Sequence, residues 1–235
     1  MDYTRTAKHS LFGRYEFARL VTPTDYDGVN LLSAGQADYN RQVKSFVLGD
    51  TYLIGAGTVS SFRGSVLRTS NPKDSRDYFS WSDLGVRNIY SQPNYPKLIV
   101  LAIAGGFNIY NAEGTPGFTN STAFQFAEDL SLVRGAHQIG FGGNFIHTKM
   151  NLKATTRVPG NVAFAATNTG MGLGDFMIGR MSTWDQSKIT SWYMRQNFVS
   201  SYLQDTWKAT SRLTVNGGLR WEPSLTPWEK HGHLY

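Results

Sequence analysis

Five histidines, 24 glycines and no cysteine are the chain's stock for metal, phosphate or nucleophilic chemistry. His231 and His233 stand at an i, i+2 spacing that could hold a metal ion, but no third ligand lies near them, and a solvated tail is the simpler reading. Gly140-Phe141-Gly142-Gly143 and Gly170-Met171-Gly172-Leu173-Gly174 resemble phosphate loops. Neither completes GxGxxG at the opening of a helix, and neither carries the Lys-Ser/Thr pair of a P-loop. Small residues that permit strand bends or close backbone contacts explain them better. No serine sits in a G-x-S-x-G elbow, and no carboxylate pair stands apart from polar surroundings. Without cysteine there is no thiolate nucleophile, zinc knuckle or disulfide framework. His9, His137 and His147 read as polar rim residues at strand ends or turns. The expectation is a protein that is not an enzyme, with no catalytic, cofactor or metal site.

Aromatic side chains remain. Tyr15, Phe17, Trp192, Tyr193, Trp207 and Trp221 could stack on a sugar, but at strand ends they read better as anchors in a membrane interface. The elements that place them are strands. In Ser201 to Glu222 two strands meet at a polar turn. Leu213, Val215, Gly217, Leu219 and Trp221 share one face of the second strand, and Thr214, Asn216, Gly218, Arg220 and Glu222 share the other. A soluble sheet would turn the apolar face to a core, and an outer-membrane barrel would turn it to lipid with a wet lumen behind.

The same alternation recurs along the chain in about seven extended segments. They are Ser10 to Leu20, 42–54 and 58–69 around Gly55-Ala56-Gly57, the pair Phe124 to Leu132 and Gln138 to Phe145 around Arg134 to His137, and the closing pair. Glu128 breaks the apolar parity and suggests a bulge or the membrane edge. Turns of a few residues alternate with loops of about 20 to 50, the rhythm of short periplasmic turns and long extracellular loops. Soluble sandwiches keep most connections to about 2 to 6 residues.

Composition agrees. Charged residues make up 17% and aromatics 14% of 235 residues, and the slightly polar mean hydropathy suits strands with one face in water. The most apolar run, Leu98 to Ala104, is too short to span as a helix. A net charge of +6 could suggest nucleic acid, but the 23 Lys and Arg are scattered rather than striped, which argues against that partner. The first ten residues hold no apolar signal segment.

The segment Phe124 to Phe145 resembles a recurrent hairpin of TonB-dependent receptors of the Oar-like type. Gly172-Leu173-Gly174-Asp175-Phe176-Met177-Ile178-Gly179-Arg180 is similar to the segment that family carries between its corresponding hairpins. Tyr202-Leu203-Gln204-Asp205-Thr206-Trp207-Lys208, His9 to Tyr15 and Ser61-Phe62-Arg63-Gly64 fit the same order. The resemblance covers nearly the whole chain. It implies an all-β fold, an antiparallel meander within an outer-membrane barrel of about 22 strands gated by an N-terminal plug. Residues 1–235 would then be a partial barrel domain, lacking plug and remaining strands and not functional alone. Its partners would be outer-membrane lipid, the plug and the other strands, with TonB reached only through the plug. Arg14, Arg63, Asn144, Asn216 and Arg220 would face the lumen. The alternatives are a small complete barrel or adhesin and a soluble β-rich carbohydrate-binding domain.

Overall fold

The computed structural model describes residues 1–24, 26–27, 29–33, 38–74, 77–110 and 115–232, so His233 and Tyr235 lie outside the described residues. In chain order the strands are β1 (Asp2–Thr6), β2 (His9–Thr22), β3 (Asp38–Gly55), β4 (Thr58–Asp74), β5 (Val100–Ile103), β6 (Asn108–Tyr110), β7 (Gly117–Arg134), β8 (His137–Ala154) and β9 (Asn161–Phe164). A short helix α1 (Gly172–Met177) follows, then β10 (Thr183–Asp185), β11 (Thr190–Lys208), β12 (Thr214–Trp221) and β13 (Trp228–Glu229).

Eight strands form one open antiparallel meander, β1-β2-β3-β4-β7-β8-β11-β12, with β13 paired to part of β11. The sequence reading finds seven of the eight. It misses β1 because Asp2-Tyr3-Thr4-Arg5-Thr6 has a single large apolar side chain, and only its pairing with β2 makes it a strand. Four tight connections lie at one end of the sheet. In one of them Gly135 takes φ +62°, which a side chain would resist. The ladder runs through Glu128 without a register shift on either side, so there is no bulge at that position. Its carboxylate instead accepts a hydrogen bond from Ser60 Oγ at 2.5 Å.

Register fixes the two faces. Tyr15, Phe46, Val66 and Phe124 fall in one row across β2, β3, β4 and β7. Phe126 pairs with Phe145, Phe141 with Leu203, and Leu203 with Leu219 on the same face. On β7 the large apolar residues of this face, Phe118 at the far end apart, run from Phe124 to Leu132, a span of nine residues, the length a tilted strand needs to cross a bilayer, about 9 to 11. Yet β3, β4, β7, β8 and β11 are 17 to 19 residues long. They therefore continue past the apolar rows toward the long connections.

Those connections are not structureless. Residues from 100–110 and 161–185 build a second sheet, β10-β9-β5-β6, in which β5 runs parallel to β9. The apolar run noted above is its centre: Leu98 and Ile99 are buried, and β5 lies between β6 and β9. Tyr95 donates to the carbonyls of Thr115 and Thr155 and so ties the two connections together. Burial pushes its hydroxyl up to about 12. On α1, Asp175 is fully buried and accepts from Asn168 N at 3.1 Å, Thr169 N at 2.7 Å and Thr169 Oγ1 at 2.8 Å. Burial alone would raise its pKa, but these hydrogen bonds outweigh burial and hold the carboxyl at about 2.

Candidate functional site

The deciding contrast is where apolar side chains are covered. Every buried large hydrophobic residue among the described ones belongs to the second sheet and its surroundings: Trp81, Leu98 to Leu101, Ile103, Ile109, Val158, Val162 and Phe164. The eight-stranded sheet leaves Phe46, Phe126, Leu203, Leu219 and Trp221 exposed, half or more of each of them to solvent. A contiguous apolar face of that size on a water-soluble sheet would drive aggregation, and lipid is the medium that suits it.

The opposite face is polar and concave. Arg63, Ala127, Asn144 and Ser200 are aligned by register across β4, β7, β8 and β11. Together with Asp129, Gln125, Tyr202 and Arg220 they border a cavity of about 450 Å³. Asp129 is the hub: its carboxylate accepts from Arg63 Nη2 at 2.6 Å and from Tyr202 Oη at 2.7 Å. Gln125 Nε2 donates to Asn144 Oδ1 at 3.1 Å. Gly142 makes room for this arrangement, since a Cβ there would lie 2.5 Å from the Glu128 carbonyl and 2.7 Å from the Tyr202 ring. Arg220 is paired with Glu222, and Arg14 with Glu16 at 3.2 Å. Each of Arg14, Arg63 and Arg220 is thus matched to a carboxylate, so these three cations are neutralised where they stand.

A family model described as outer membrane beta barrel domain matches residues 1–235. The chain belongs to this outer-membrane β-barrel family. Its location is the outer membrane, and its eight-stranded meander is not closed into a barrel among the described residues. No curated protein and no solved structure matched the chain.

Within this barrel sheet, Arg14, Arg63, Asn144, Asn216 and Arg220 all fall on the polar face. Arg63, Asn144 and Arg220 meet at the cavity, while Arg14 and Asn216 lie apart from it. The six aromatics divide. Tyr15, Phe17, Tyr193, Trp207 and Trp221 share the apolar face, and Trp192, next in the chain to Tyr193, takes the polar one. Trp207 lies at the turn end against His137, ring centroids 5.7 Å apart. Trp221 shares a row with Phe62 and Glu128, inside the apolar region rather than at its border. His147 is not at a strand end: it lies within β8 and pairs with Asn197 on β11. Among the described residues no group of His, Asp or Glu has metal-holding geometry.

Two features escape sequence reasoning. Asp129 and Tyr202 are 73 residues apart and meet only through the β7-β8-β11 register. The second sheet also carries an apolar cavity of about 600 Å³, lined among others by Phe79, Trp81, Val86, Ile89, Met181 and Trp184. Its one visible signal was the Leu98 to Ala104 run. The Gly172-Leu173-Gly174-Asp175 motif proves to be packing: a Cβ on Gly172 would lie 2.3 Å from the Ala104 carbonyl, and Phe176 packs on Phe107 and Phe164.

Proposed function

We propose that this chain is a barrel segment of a TonB-dependent outer-membrane receptor of the Oar-like type, which moves a ligand across the outer membrane by energy-coupled transport and performs no catalysis. The observation that carries the reading is the paired, polar face centred on Asp129, set back to back with an uncovered apolar face in a sheet whose edge strands β1 and β12 each have one neighbour. Such a face suits reversible contact with a plug or with a polar ligand, because Arg63 and Asp129 can exchange each other for a partner's groups. The folded connections suit ligand selection at the outer surface, as an apolar pocket of 300 to 1,000 Å³ is the usual size for a small-molecule site. On this reading the partners are membrane lipid, a plug and further barrel strands, and TonB acts through the plug.

Sequencing the DNA on both sides of the coding region tests this. Plug and additional barrel coding in the flanks is the expected result, and flanks with neither would overturn it. One observation favours a second reading, a small complete barrel: eight is the strand count of the smallest outer-membrane barrels. That reading requires β1 and β12, 5 and 8 residues long, to close a seam between neighbours of 14 residues or more. Folding in detergent separates the two, because a closed barrel migrates differently on a gel before and after heating.

A further inference from the structure

We infer that the lipid-facing side of β2, β3 and β4 carries a binding site for phosphorylated lipid headgroups of the leaflet on the long-loop side. The residues are Arg19, Lys44 and Arg68. On β3 and β4 the cation is the first residue of that face beyond the last large apolar one, Lys44 after Phe46 and Arg68 after Val66, and on β2 Arg19 stands between Phe17 and Val21 of the same face. Lys44 stands directly opposite Arg68, and Arg19 stands opposite Gln42, one step diagonally from Lys44. Neighbouring strands are about 4.8 Å apart, so the three cations occupy a patch two strand spacings wide. All three are exposed.

Like charges directly opposite each other on adjacent strands are destabilising, and here no carboxylate among the described residues cancels the charge. On the polar face Arg14, Arg63 and Arg220 each have a carboxylate. On this face, among the described residues, Arg19, Lys44 and Arg68 make no ion pair. Arg19 reaches only the amide oxygen of Asn40, and Lys44 lies over the Phe17 ring. The same imbalance continues on later strands, where Lys149 stands opposite Arg195. Carboxylates on this face are placed elsewhere. Asp50, Glu128 and Asp205 lie toward the turn end, and Asp38 and Asp74 close the far ends of β3 and β4, six residues beyond Lys44 and Arg68. Glu229, beside β11, is buried and accepts from the backbone N–H groups of Tyr193 and His231.

Unmatched cations that border an apolar surface are complementary to a layer whose acyl chains meet the apolar rows and whose phosphates lie just above. Lys presents a point charge and Arg a planar fork, and both are phosphate ligands. The inference rests on the membrane placement of this face and adds the identity of the group at its border.

The test dilutes the urea-unfolded 235-residue chain into vesicles of phosphatidylcholine and into vesicles of phosphatidylcholine with lipid A, and reads the vesicle-bound fraction by flotation. Lipid A is expected to raise binding, and added salt to reduce the gain. Arg19→Gln, Lys44→Gln and Arg68→Gln together should cut the gain by up to roughly 100-fold, at about fivefold per cation. The charge-preserving set Arg19→Lys, Lys44→Arg and Arg68→Lys should keep most of it. A glutamine variant that retains the gain would overturn the site, as would a charge-preserving variant that loses it. Inorganic phosphate should not compete, and abolition of the gain by it would mean that the patch takes free anions instead of lipid. Flotation with neutral vesicles but no gain from lipid A refutes this inference alone, whereas flotation with neither refutes the membrane placement as well.

Discussion

Phe126 and Gln125 are adjacent in β7 and point to opposite faces, so one substitution made at both sites measures which face meets lipid. Phe126 is half exposed, and its neighbours in the sheet are Gly64 and Phe145. Arginine at the midplane of a barrel's lipid face costs about 2–4 kcal/mol and about 0–1 near the interface. Phe126 lies two residues from Glu128, the middle of the nine-residue span Phe124 to Leu132, so Phe126→Arg should cost about 2–3 kcal/mol. That is a loss of roughly 30- to 150-fold in the ratio of inserted to unfolded chain. Gln125→Arg removes one hydrogen bond, to Asn144 at 3.1 Å, and points into a solvated concavity. Its cost should stay near 1 kcal/mol. Urea titration of the vesicle-inserted chain, followed by tryptophan fluorescence, gives both numbers under one condition. Equal costs, or a larger cost at Gln125, would refute the assignment of faces and with it the placement of Arg63, Asn144 and Arg220.

Gly142→Ala should displace the Tyr202 ring and break its bond to Asp129, at a cost of about 1–3 kcal/mol for overpacking; a near-ultraviolet circular dichroism spectrum unchanged from the parent would count against the close approach. Ile99→Ala, at a fully buried site in the second sheet, should cost about 2–5 kcal/mol locally and open 77–110 and 155–189 to protease while the long strands stay resistant. Because the folded pKa of Asp175 is about 2, below its ordinary 3.8, its contribution is complete above that ordinary value and drains away as pH falls toward 2. Amide exchange at 168–179 should speed up through that window in the parent and lose the dependence in Asp175→Asn; the same pH profile in both would remove Asp175 from the account.

Parity was the legible part of the fold. Phe124, Phe126, Leu130 and Leu132 on one side and Ile139, Phe141 and Phe145 across the turn exclude every one-residue slip, and the short turn selects the observed register among those that remain. Parity cannot reveal a strand like β1, which is recognised by its partner and not by its own side chains. Residue type alone makes Trp192 and Tyr193 a pair of interface anchors, whereas parity sends consecutive strand residues to opposite faces, as observed. The second sheet was illegible for a different reason. Val100 pairs with Asn161 across an entire hairpin, and no local pattern announces a parallel pairing between two loops. The polar cavity stood between these cases, since the residue types were readable and the hub at Asp129 needed three strands in register.

That parallel contact has a consequence for the order of assembly. β9 docks on β5 at lower entropic cost after β7 and β8, which lie between them in the chain, have folded back on each other. Its closure cost is that of a loop of roughly 60 residues if the hairpin is unformed, and about 1 kcal/mol less once the β7-β8 ladder has shortened the effective loop to roughly 20 residues. The burial of Trp81 and Trp184 against each other should therefore be a late event, and its rate should follow that of the hairpin beneath it.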